Sequence, residues 1–586
     1  MHIERHAVGE AALSAAVTDF AERMAGDVHR MQHDESPEYG WEMVCESFLD
    51  YLGARSVANP SLTGRDCKLA FESAAAAATG SFALTARPSR VGDVFIEYTG
   101  TGVVYDKDGR GREVPAYDWL DAFFLAFVAG DTDRDGQLFV ETAVTRRGHE
   151  DRADVALVHA LLAFVYGEIE DPGTAGEPGP VSDEQRSARI DALVRELGPG
   201  TDRPHHRAAL ATLRALAAGD RDAFGEALAA QLAEYRERHA GAGNPAPRTL
   251  LPMDALALAA MAQRWNGWQP GVDSDYLPAG PIGGFAPPVP RVRAFGADKR
   301  ADAVAALAAG PLVVDRPRPP ERAGAGDPAE YEEYLTRSAA EFGDPGQEPV
   351  NLMRRLTRVM DHQYQLCQRR LAVDTDGPDE RGRAALLLGA EAGSAAFVLA
   401  GAEPGTEREV TVGGVTRVLP AGGRRDRVGP VQWLRAAALA VVTGEERLLA
   451  ECVRVGPDPL AYGGYALAAR EYATALHEHL RGADAEPALR RAATEAFRAR
   501  DLNQLAPPVV LLSQLTAGDE EGFALALADA LEAHRDHYEV GENASDPDAA
   551  LNLDVLALVC LARRAGWEVP VRSPYLPSQL VAGLVG

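Results

Sequence analysis

One segment of the chain has the residue types of a calcium-binding loop: Asp131-Thr132-Asp133-Arg134-Asp135-Gly136-Gln137-Leu138. Oxygen ligands stand at loop positions 1, 3 and 5, a glycine at position 6 and an apolar residue at position 8, as in an EF-hand. Position 12 is Thr142, however, and Glu141 falls one place early, so the bidentate glutamate is missing. We therefore predict a polar loop with an aspartate helix cap and no metal site.

The histidines are the other candidate metal ligands. His477 and His479 are two residues apart, and a helix would point them about 200° away from each other, so they cannot bind one ion. His534 and His537 are one turn apart, but Tyr235 stands at the place of His534 in an internal repeat of the chain. Exchange of histidine for tyrosine favours an aromatic ring at the edge of the core over a ligand.

The common catalytic and cofactor motifs do not occur in the sequence. It contains no GxxxxGK[ST] loop, no GxGxxG after a strand and no GxSxG nucleophile elbow. Its five cysteines are scattered without a CxxC pair, which favours reduced thiols over disulfides or a zinc site. We expect a cytoplasmic protein without a cofactor.

The chain is strongly acidic. Its 59 Lys and Arg against 87 Asp and Glu give a net charge of −28 over 586 residues. Such a field repels nucleic acid and anionic membranes and attracts a basic protein. No run of about 18 uncharged apolar residues is present. We therefore expect a basic protein partner, no nucleic acid and no membrane.

The sequence contains an internal duplication. AGDRDAFGEALAAQLAEYRERH (218–239) aligns with AGDEEGFALALADALEAHRDHY (517–538), and SDYLP (274–278) aligns with SPYLP (573–577). Trp119-Leu120 likewise matches Trp433-Leu434, and Phe82 matches Phe397. We predict two homologous domains, 1–285 and 345–586, and a Pro- and Gly-rich linker, 286–344, with a short helix near 298–309.

Helical periodicity dominates both copies, as the spacing of Phe224, Leu228 and Leu232 illustrates. Gly219-Asp220 and Gly518-Asp519 each indicate a helix end followed by an N-cap. One β-hairpin interrupts each copy, with strands at 94–98 and 103–105 in the first and at 409–412 and 415–418 around Gly413-Gly414 in the second. The predicted fold is mainly α, with two tandem α-helical domains that each carry a small β-hairpin.

The order of these landmarks resembles the immunity protein 49 family of bacterial polymorphic toxin systems. An Ala-rich helix precedes the hairpin EVTVGGVTRVLPAGG (409–423), which is followed by a Trp-Leu helix, FALALADALEAHRDHY (523–538) and SPYLP. The resemblance covers about 20–280 and 350–580, as two tandem copies of a family that usually has one. It implies a mostly α-helical, non-enzymatic protein that binds and neutralises a cognate toxin, with no catalytic residues to carry over.

The duplicated Tyr-Leu-Pro corner is the candidate partner-binding site. Proline ends a helix there, and tyrosine combines an apolar ring with a polar hydroxyl that interfaces use. Asp273 and Asp275 precede Tyr276 in the first copy, whereas Arg572 precedes Tyr575 in the second. Either each corner locks the chain onto its own domain, or Asp273, Asp275, Tyr276 and Tyr575 contact the toxin.

Together, charge and resemblance predict an inhibitor whose acidic surface docks on a basic toxin and occludes its active site. One alternative is a helical scaffold for protein or peptide partners, although a period near 300 residues is far longer than a solenoid repeat. Another is an all-α enzyme, which requires polar residues retained in both copies. The clearest retained carboxylates, Asp220/Asp519 and Asp254/Asp554, stand where helices are predicted to start.

Overall fold

A computed structural model describes residues 2–34, 36–87, 89, 91–106, 109, 111–112, 114–130, 132–142, 152–167, 182–197, 204–241, 243–285, 289–316, 332, 349–373, 377–423, 429–457, 467–501 and 506–581. Within these ranges the chain forms 23 α-helices and eight short strands, which pair as four two-stranded sheets. The predicted mainly α fold is confirmed. The chain divides into two compact units, Met1–Pro287 and Pro288–Gly586.

The first unit consists of twelve described helices and four strands. In chain order these are β1 (His2–Ile3), α1 (Glu10–Val17), α2 (Phe20–Arg30), α3 (Pro37–Ala58), α4 (Arg65–Ala86), β2 (Val91–Ile96), β3 (Thr101–Asp106), α5 (Ala116–Ala129), α6 (Thr132–Glu141), α7 (Arg152–Leu161), α8 (Asp183–Leu197), α9 (Pro204–Ala217), α10 (Arg221–Ala240), α11 (Met253–Asn266), β4 (Asp273–Ser274) and α12 (Ala279–Gly283).

From α3 onward, the second unit repeats this order. Its described elements are α13 (Ala301–Ala309), β5 (Leu312–Val313), α14 (Pro349–Val373), α15 (Glu380–Gly401), β6 (Glu407–Val412), β7 (Val415–Pro420), α16 (Pro430–Thr443), α17 (Glu446–Val455), α18 (Leu467–Leu480), α19 (Glu486–Asp501), α20 (Val509–Ala517), α21 (Glu520–Tyr538), α22 (Leu553–Arg564), β8 (Val571–Arg572) and α23 (Ser578–Val581).

The Trp-Leu helix is the central core element of each unit. Helices α5 and α16 are both 14 residues long and apolar on almost every side, which is typical of a helix buried all round. In α5 the buried Trp119 donates its indole N–H to the carbonyl of Phe139 at 3.2 Å. In α16 the buried Trp433 donates to the carbonyl of Cys452 at 2.9 Å. In both units, therefore, the indole hydrogen bond fixes the rotation of the Trp-Leu helix about its axis.

An arginine near the end of the last long helix holds the opposite end of the Trp-Leu helix. Arg264, in α11, donates from Nη1 to the Phe127 carbonyl at 2.7 Å and from Nη2 to the Val128 carbonyl at 2.8 Å. Burial lowers the pKa of Arg264 to about 10, so the guanidinium stays charged at neutral pH. In the second unit Arg564 donates to the Val441 carbonyl of α16. A cation thus adds hydrogen bonds to carbonyls in the last turn of each helix, where it also interacts favourably with the helix dipole.

The predicted helix caps are confirmed. The Asp220 carboxylate accepts the backbone N–H of Ala223 at 3.0 Å, and Asp519 accepts that of Gly522 at 3.0 Å. Gly219 and Gly518 precede these caps with φ of 69° and 72°, a conformation in which glycine is least strained.

One antiparallel hairpin lies in each unit, as predicted. In the second, β6 and β7 pair from Glu407↔Pro420 to Val412↔Val415 around Gly413-Gly414. Both turn glycines have positive φ, 60° and 75°, as a two-residue hairpin turn requires. In the first, β2 ends at Ile96, and a 3₁₀ turn over Glu97–Thr99 replaces the last two predicted strand residues.

One helix, α15, has the length and hydropathy of a membrane-spanning segment. It is 22 residues long with a mean hydropathy of 1.6, and 67% of its apolar stretch is buried inside the protein. Its buried face includes Leu386, Phe397 and Leu399, which belong to the core of the second unit. The apolar character of α15 is therefore accounted for by core packing.

Residues 289–316, within the predicted linker, pack on the second unit. Val292, Ala303 and Val314 are buried in its core. Arg291 forms ion pairs with Asp529 at 2.7 Å and Glu532 at 2.6 Å. Helix α13 lies where the sequence predicts a short helix, whereas 317–331 and 333–348 lie outside the described residues. The exact bounds 1–285, 286–344 and 345–586 stay a prediction.

We expect Arg264→Met to lower the unfolding free energy of the first unit by about 3 kcal/mol, because buried carbonyls lose hydrogen bonds to a charged donor. Differential scanning calorimetry would show the transition of the first unit shifted and that of the second unchanged. Arg238→Met is the matched control, since its 3.1 Å pair with Glu234 is on the surface and contributes about 0.5 kcal/mol or less. Equal effects of the two variants would show that the end of α5 does not depend on Arg264.

Candidate functional site

The first Tyr-Leu-Pro corner binds a strand of its own unit. Strand β1 pairs with β4 in parallel, His2 opposite Asp273 and Ile3 opposite Ser274. The Tyr276 side chain is fully buried, and its hydroxyl accepts the His6 backbone N–H at 2.9 Å and lies 2.7 Å from His6 Nδ1. The corner therefore closes the unit by joining its two ends.

The second corner has the same arrangement. Strand β5 pairs with β8 in parallel, Leu312 opposite Val571. Tyr575 is 2% exposed, and its ring packs edge-on against His534 at 5.0 Å between ring centroids. Just after β5, Arg316 donates to the carbonyls of Ala550 at 2.8 Å and Leu371 at 3.1 Å.

These positions correct one part of the sequence-based hypothesis. Tyr276 and Tyr575 were candidate toxin contacts, but a buried ring offers no surface to a partner. Both tyrosines act inside their units instead, in agreement with the alternative in which each corner locks the chain onto its own domain.

Asp273 and Asp275 lie on the surface of the first corner. Their side chains are 77% and 38% exposed, and the His2 ring lies between them, with Nδ1 3.0 Å from Asp273 and Nε2 3.4 Å from Asp275. The hydrogen bond to Asp273 raises the pKa of His2. Partner binding by these two aspartates stays a prediction.

A larger group of carboxylates, which sequence reasoning missed, lies elsewhere in the first unit. Three helices contribute to it: α5 and α11, which pack on each other, and α3. We name it the acidic cluster and define it as Glu42, Glu46, Asp118, Asp121 and Asp254. Helix α5 is held by Trp119 and Arg264, so the core fixes the register that presents Asp118 and Asp121.

The carboxylates of the acidic cluster repel one another. Partial loss of solvation, followed by the charge of Glu42, raises the pKa of Asp118 to about 6. Loss of solvation also dominates at Asp121, whose pKa is raised to about 7; the charges of Asp118 and Asp254 add to this, and His206 opposes it. Asp121 is nevertheless exposed.

Few cations neutralise the acidic cluster. Arg248 pairs with Glu46 at 3.1 Å and with the neighbouring Asp50 at 2.7 Å. Asp254 accepts a hydrogen bond from the amide of Gln231 at 2.9 Å. Within the described part of the chain, no lysine or arginine forms an ion pair with Glu42, Asp118, Asp121 or Asp254. Four of its five carboxylates therefore have no lysine or arginine partner among the described residues.

The second unit has an arginine at the corresponding place. Asp121 follows Trp119 by two residues, and Arg435 follows Trp433 by two residues in the equivalent helix. Arg435 Nη1 lies 2.8 Å from Asp361, and the guanidinium lies 5.3 Å from the centre of the Tyr364 ring. Burial alone would lower the pKa of Arg435, but Asp361 and Asp548 raise it overall.

The predicted polar loop at 131–138 is a helix. Helix α6 runs through Thr132–Glu141, and Asp131 lies outside the described residues. A continuous helix cannot wrap its side chains around one calcium ion as an EF-hand loop does. In the residues that the structure describes, no group of three His, Cys, Asp or Glu side chains is placed to hold a metal.

The predicted histidine roles are structural. His477 Nε2 lies 2.7 Å from the Val453 carbonyl, and His479 Nδ1 lies 3.1 Å from the Thr516 hydroxyl. His534 is buried 3.2 Å from the Asn552 amide, which agrees with an aromatic side chain packed at the core.

A small cavity in the second unit contains a carboxylate. Asp554 and Tyr472 line it together with apolar side chains of α16, α18 and α22. Burial, the largest effect, raises the pKa of Asp554 to about 6, whereas Arg435 lowers it. The cavity has room for about one water molecule and is too small for an organic substrate.

We expect Tyr276→Phe to destabilise the first unit by about 1–2 kcal/mol, because the buried His6 N–H loses its acceptor. Chemical denaturation followed by circular dichroism measures this loss. Tyr39→Phe is the control, since the Tyr39 side chain is 63% exposed. A Tyr276→Phe protein as stable as the control would show that the corner does not close the unit.

Asp121→Asn is expected to stabilise the protein at pH 8 but not at pH 4. The folded pKa of about 7 exceeds the ordinary value of 3.8, so ionisation costs stability as pH rises through this window, and the amide removes that cost. Since Asp121 is exposed and solvent screens its charge, we expect about 1 kcal/mol at pH 8. Thermal unfolding at both pH values measures it, with Glu226→Gln as control. A stability difference of equal size at both pH values would exclude ionisation of Asp121 as its cause.

The comparisons with known proteins agree with the duplication. The family described as Immunity protein 49 matches residues 67–280 and again residues 374–580, together more than two thirds of the chain. No curated protein and no solved structure matches the chain. Each matched segment includes a hairpin, a Trp-Leu helix and a Tyr-Leu-Pro corner, so the predicted resemblance is confirmed. The chain belongs to the Immunity protein 49 family and carries two tandem copies of it.

Proposed function

We propose that the chain is a toxin-immunity protein that binds a cognate polymorphic toxin and neutralises it by occlusion. The observation that carries this proposal is the family match in both copies, because an immunity protein acts on a toxin partner. The partner is a basic toxin domain, since the net charge is −28 and the acidic cluster is largely uncompensated. The protein acts in the cytoplasm, and its five buried, unpaired cysteines suit a reducing compartment.

Occlusion requires fast capture and a specific contact. Complementary charge raises association to about 10⁸–10⁹ M⁻¹s⁻¹ at low salt, against roughly 10⁵–10⁶ M⁻¹s⁻¹ for neutral pairs. Specificity then comes from residues that are desolvated in the complex, where an unmatched charge is costly. The negative net charge provides fast capture, and the acidic cluster provides the specific contact.

The carboxylates retained in both copies do not form a common catalytic site. Asp220 and Asp519 cap helices. Asp254 accepts from Gln231, whereas its counterpart Asp554 lies close to Arg435. An enzyme duplicated in tandem would keep its acid–base groups in matching surroundings in at least one pair. These contacts favour a binding protein over an all-α enzyme.

A titration of the toxin domain encoded in the adjacent reading frame tests this proposal. We expect full inhibition at one equivalent of immunity protein, and an association rate that falls at least about tenfold between 0.01 M and 0.1 M salt, as the Debye length shrinks from about 30 Å to about 10 Å.

Three other results of the titration are informative. Inhibition by far less than one equivalent would indicate catalytic inactivation and an enzyme. A rate independent of salt would reject electrostatic capture while leaving occlusion intact. Absence of both binding and protection against this toxin would reject the immunity function itself.

A further inference from the structure

We infer that the first unit binds the toxin, and that an arginine side chain of the toxin enters the acidic cluster at the position that Arg435 occupies in the second unit. This inference deepens the proposed function and rests on it. It names the unit, the surface and the chemistry of the contacting group.

The two positions are equivalent in structure as well as in sequence. Helices α5 and α16 align without a gap from their first residue to the glycines that end them, Gly130 and Gly444, whose φ values are 92° and 78°. Their tryptophans donate to carbonyls of the next helix, and an arginine caps each C-terminus. Asp121 therefore occupies the same position on the first unit as Arg435 does on the second.

The second unit shows what this position binds. The Arg435 guanidinium pairs with Asp361 at 2.8 Å, lies over the Tyr364 ring and is attracted by Asp548. A planar guanidinium suits such a place, because it can pair with a carboxylate in its plane and stack on a ring with its face. In effect, the second unit carries its own cation at the site.

The first unit lacks that cation and keeps part of its surroundings: Glu46 and Asp254 stand where Asp361 and Asp554 stand, whereas Leu49 replaces Tyr364 and Arg248 replaces Asp548. When α3 is aligned with α14 at the offset of 315 residues that relates Phe82 to Phe397, seven corresponding positions hold six carboxylates and one arginine in the first unit, namely Glu42, Glu46, Asp50, Asp118, Asp121, Arg248 and Asp254. They hold three carboxylates and one arginine in the second, together with neutral residues: Thr357, Asp361, Gln365, Gln432, Arg435, Asp548 and Asp554. Arg248 engages Glu46 and Asp50, and the described cations leave Asp121 unpaired.

The rim of the acidic cluster has the composition of a protein interface. Tyr39 and Met43 lie on α3 beside Glu42 and are 63% and 54% exposed, and Tyr117 lies one turn before Asp121 on α5 and is 40% exposed. Tyrosine and methionine are enriched at such surfaces. The equivalent positions of Tyr39 and Met43 in the second unit are Arg354 and Arg358. The second unit thus has less negative charge at these positions, and arginines replace the two exposed side chains of α3.

The sharpest test is the substitution Asp121→Arg, which gives the first unit the arginine that the second unit has at the equivalent position. The probe is the toxin domain encoded in the adjacent reading frame, inactivated by substitution, and its Kd is measured by calorimetric titration. We expect Asp121→Arg to weaken binding at least about 30-fold, because it fills the site and repels the incoming cation. Glu226→Arg, an equal charge change on the exposed side of α10, is expected to change Kd less than about threefold.

Two further measurements keep the test independent of folding. Asp121→Asn, which removes the charge and keeps the shape of the side chain, is expected to weaken binding about tenfold, and thermal unfolding shows whether each variant is folded. Replacement of the contacting toxin arginine by glutamate is expected to restore binding to the Asp121→Arg protein.

The contrary outcomes are distinct. Wild-type affinity in a folded Asp121→Arg protein would overturn the inference while leaving the immunity function standing. Failure of the wild-type protein to bind the toxin would overturn both. A wild-type dimer that Asp121→Arg converts to a monomer would place a second copy of this chain, rather than the toxin, in the acidic cluster.

Discussion

The orientation of one buried helix in each unit governs the rest of the structure. Trp119 and Arg264 hold α5 from its two ends, and Trp433 and Arg564 do the same for α16. Each contact is a hydrogen bond from a side chain to a backbone carbonyl, so rotation or sliding of the helix would break these bonds. The position two residues after each tryptophan is thereby fixed on the surface of its unit.

Much of this architecture could be predicted from the sequence, because it depends on periodic patterns and on single residues with strong preferences. Helical spacing, the Gly-Asp helix joints and the Gly-Gly hairpin turn are local signals, and the structure bears them out. The Trp-Leu pair could be matched because tryptophan is rare and was retained. The role of Arg264 was not visible, since its carbonyl partners lie more than a hundred residues away.

The closing strands could not be predicted from periodicity. Strands β1 and β5 are two residues long, which is too short for an alternating pattern. Strand β5 lies beside proline- and glycine-rich sequence, and this composition predicts a linker. A weak signal was present: Ile3-Glu4-Arg5 resembles Val314-Asp315-Arg316, and Arg5 donates to Ser56 as Arg316 does to Leu371, near the ends of equivalent helices. The role of these residues is recognised only from the strand pairing in the structure.

The acidic cluster was missed for a related reason. Its members come from three helices, and no spacing in the sequence brings them together. When the two Trp-Leu dipeptides are aligned, an aspartate follows in the first copy and an arginine in the second. A single charge change on a helix, however, is ordinary divergence. It gains significance only once Asp118 and Asp254 are found beside Asp121, and Asp361 and Asp554 beside Arg435.

Duplication offers a physical reason why such a cluster can persist. Like charges held together lower the stability of a free domain, and they add to the loss of solvation that is the main cause of the raised pKa values of Asp118 and Asp121. In the second unit one arginine removes most of the repulsion, and with it any acceptor that a partner could use. The residue at this position can therefore either neutralise the neighbouring carboxylates or leave them available to a partner's cation. Because the chain has two copies, it contains one unit of each kind. The copy that keeps its negative charge uncompensated is the one in which a partner's arginine has the most to gain.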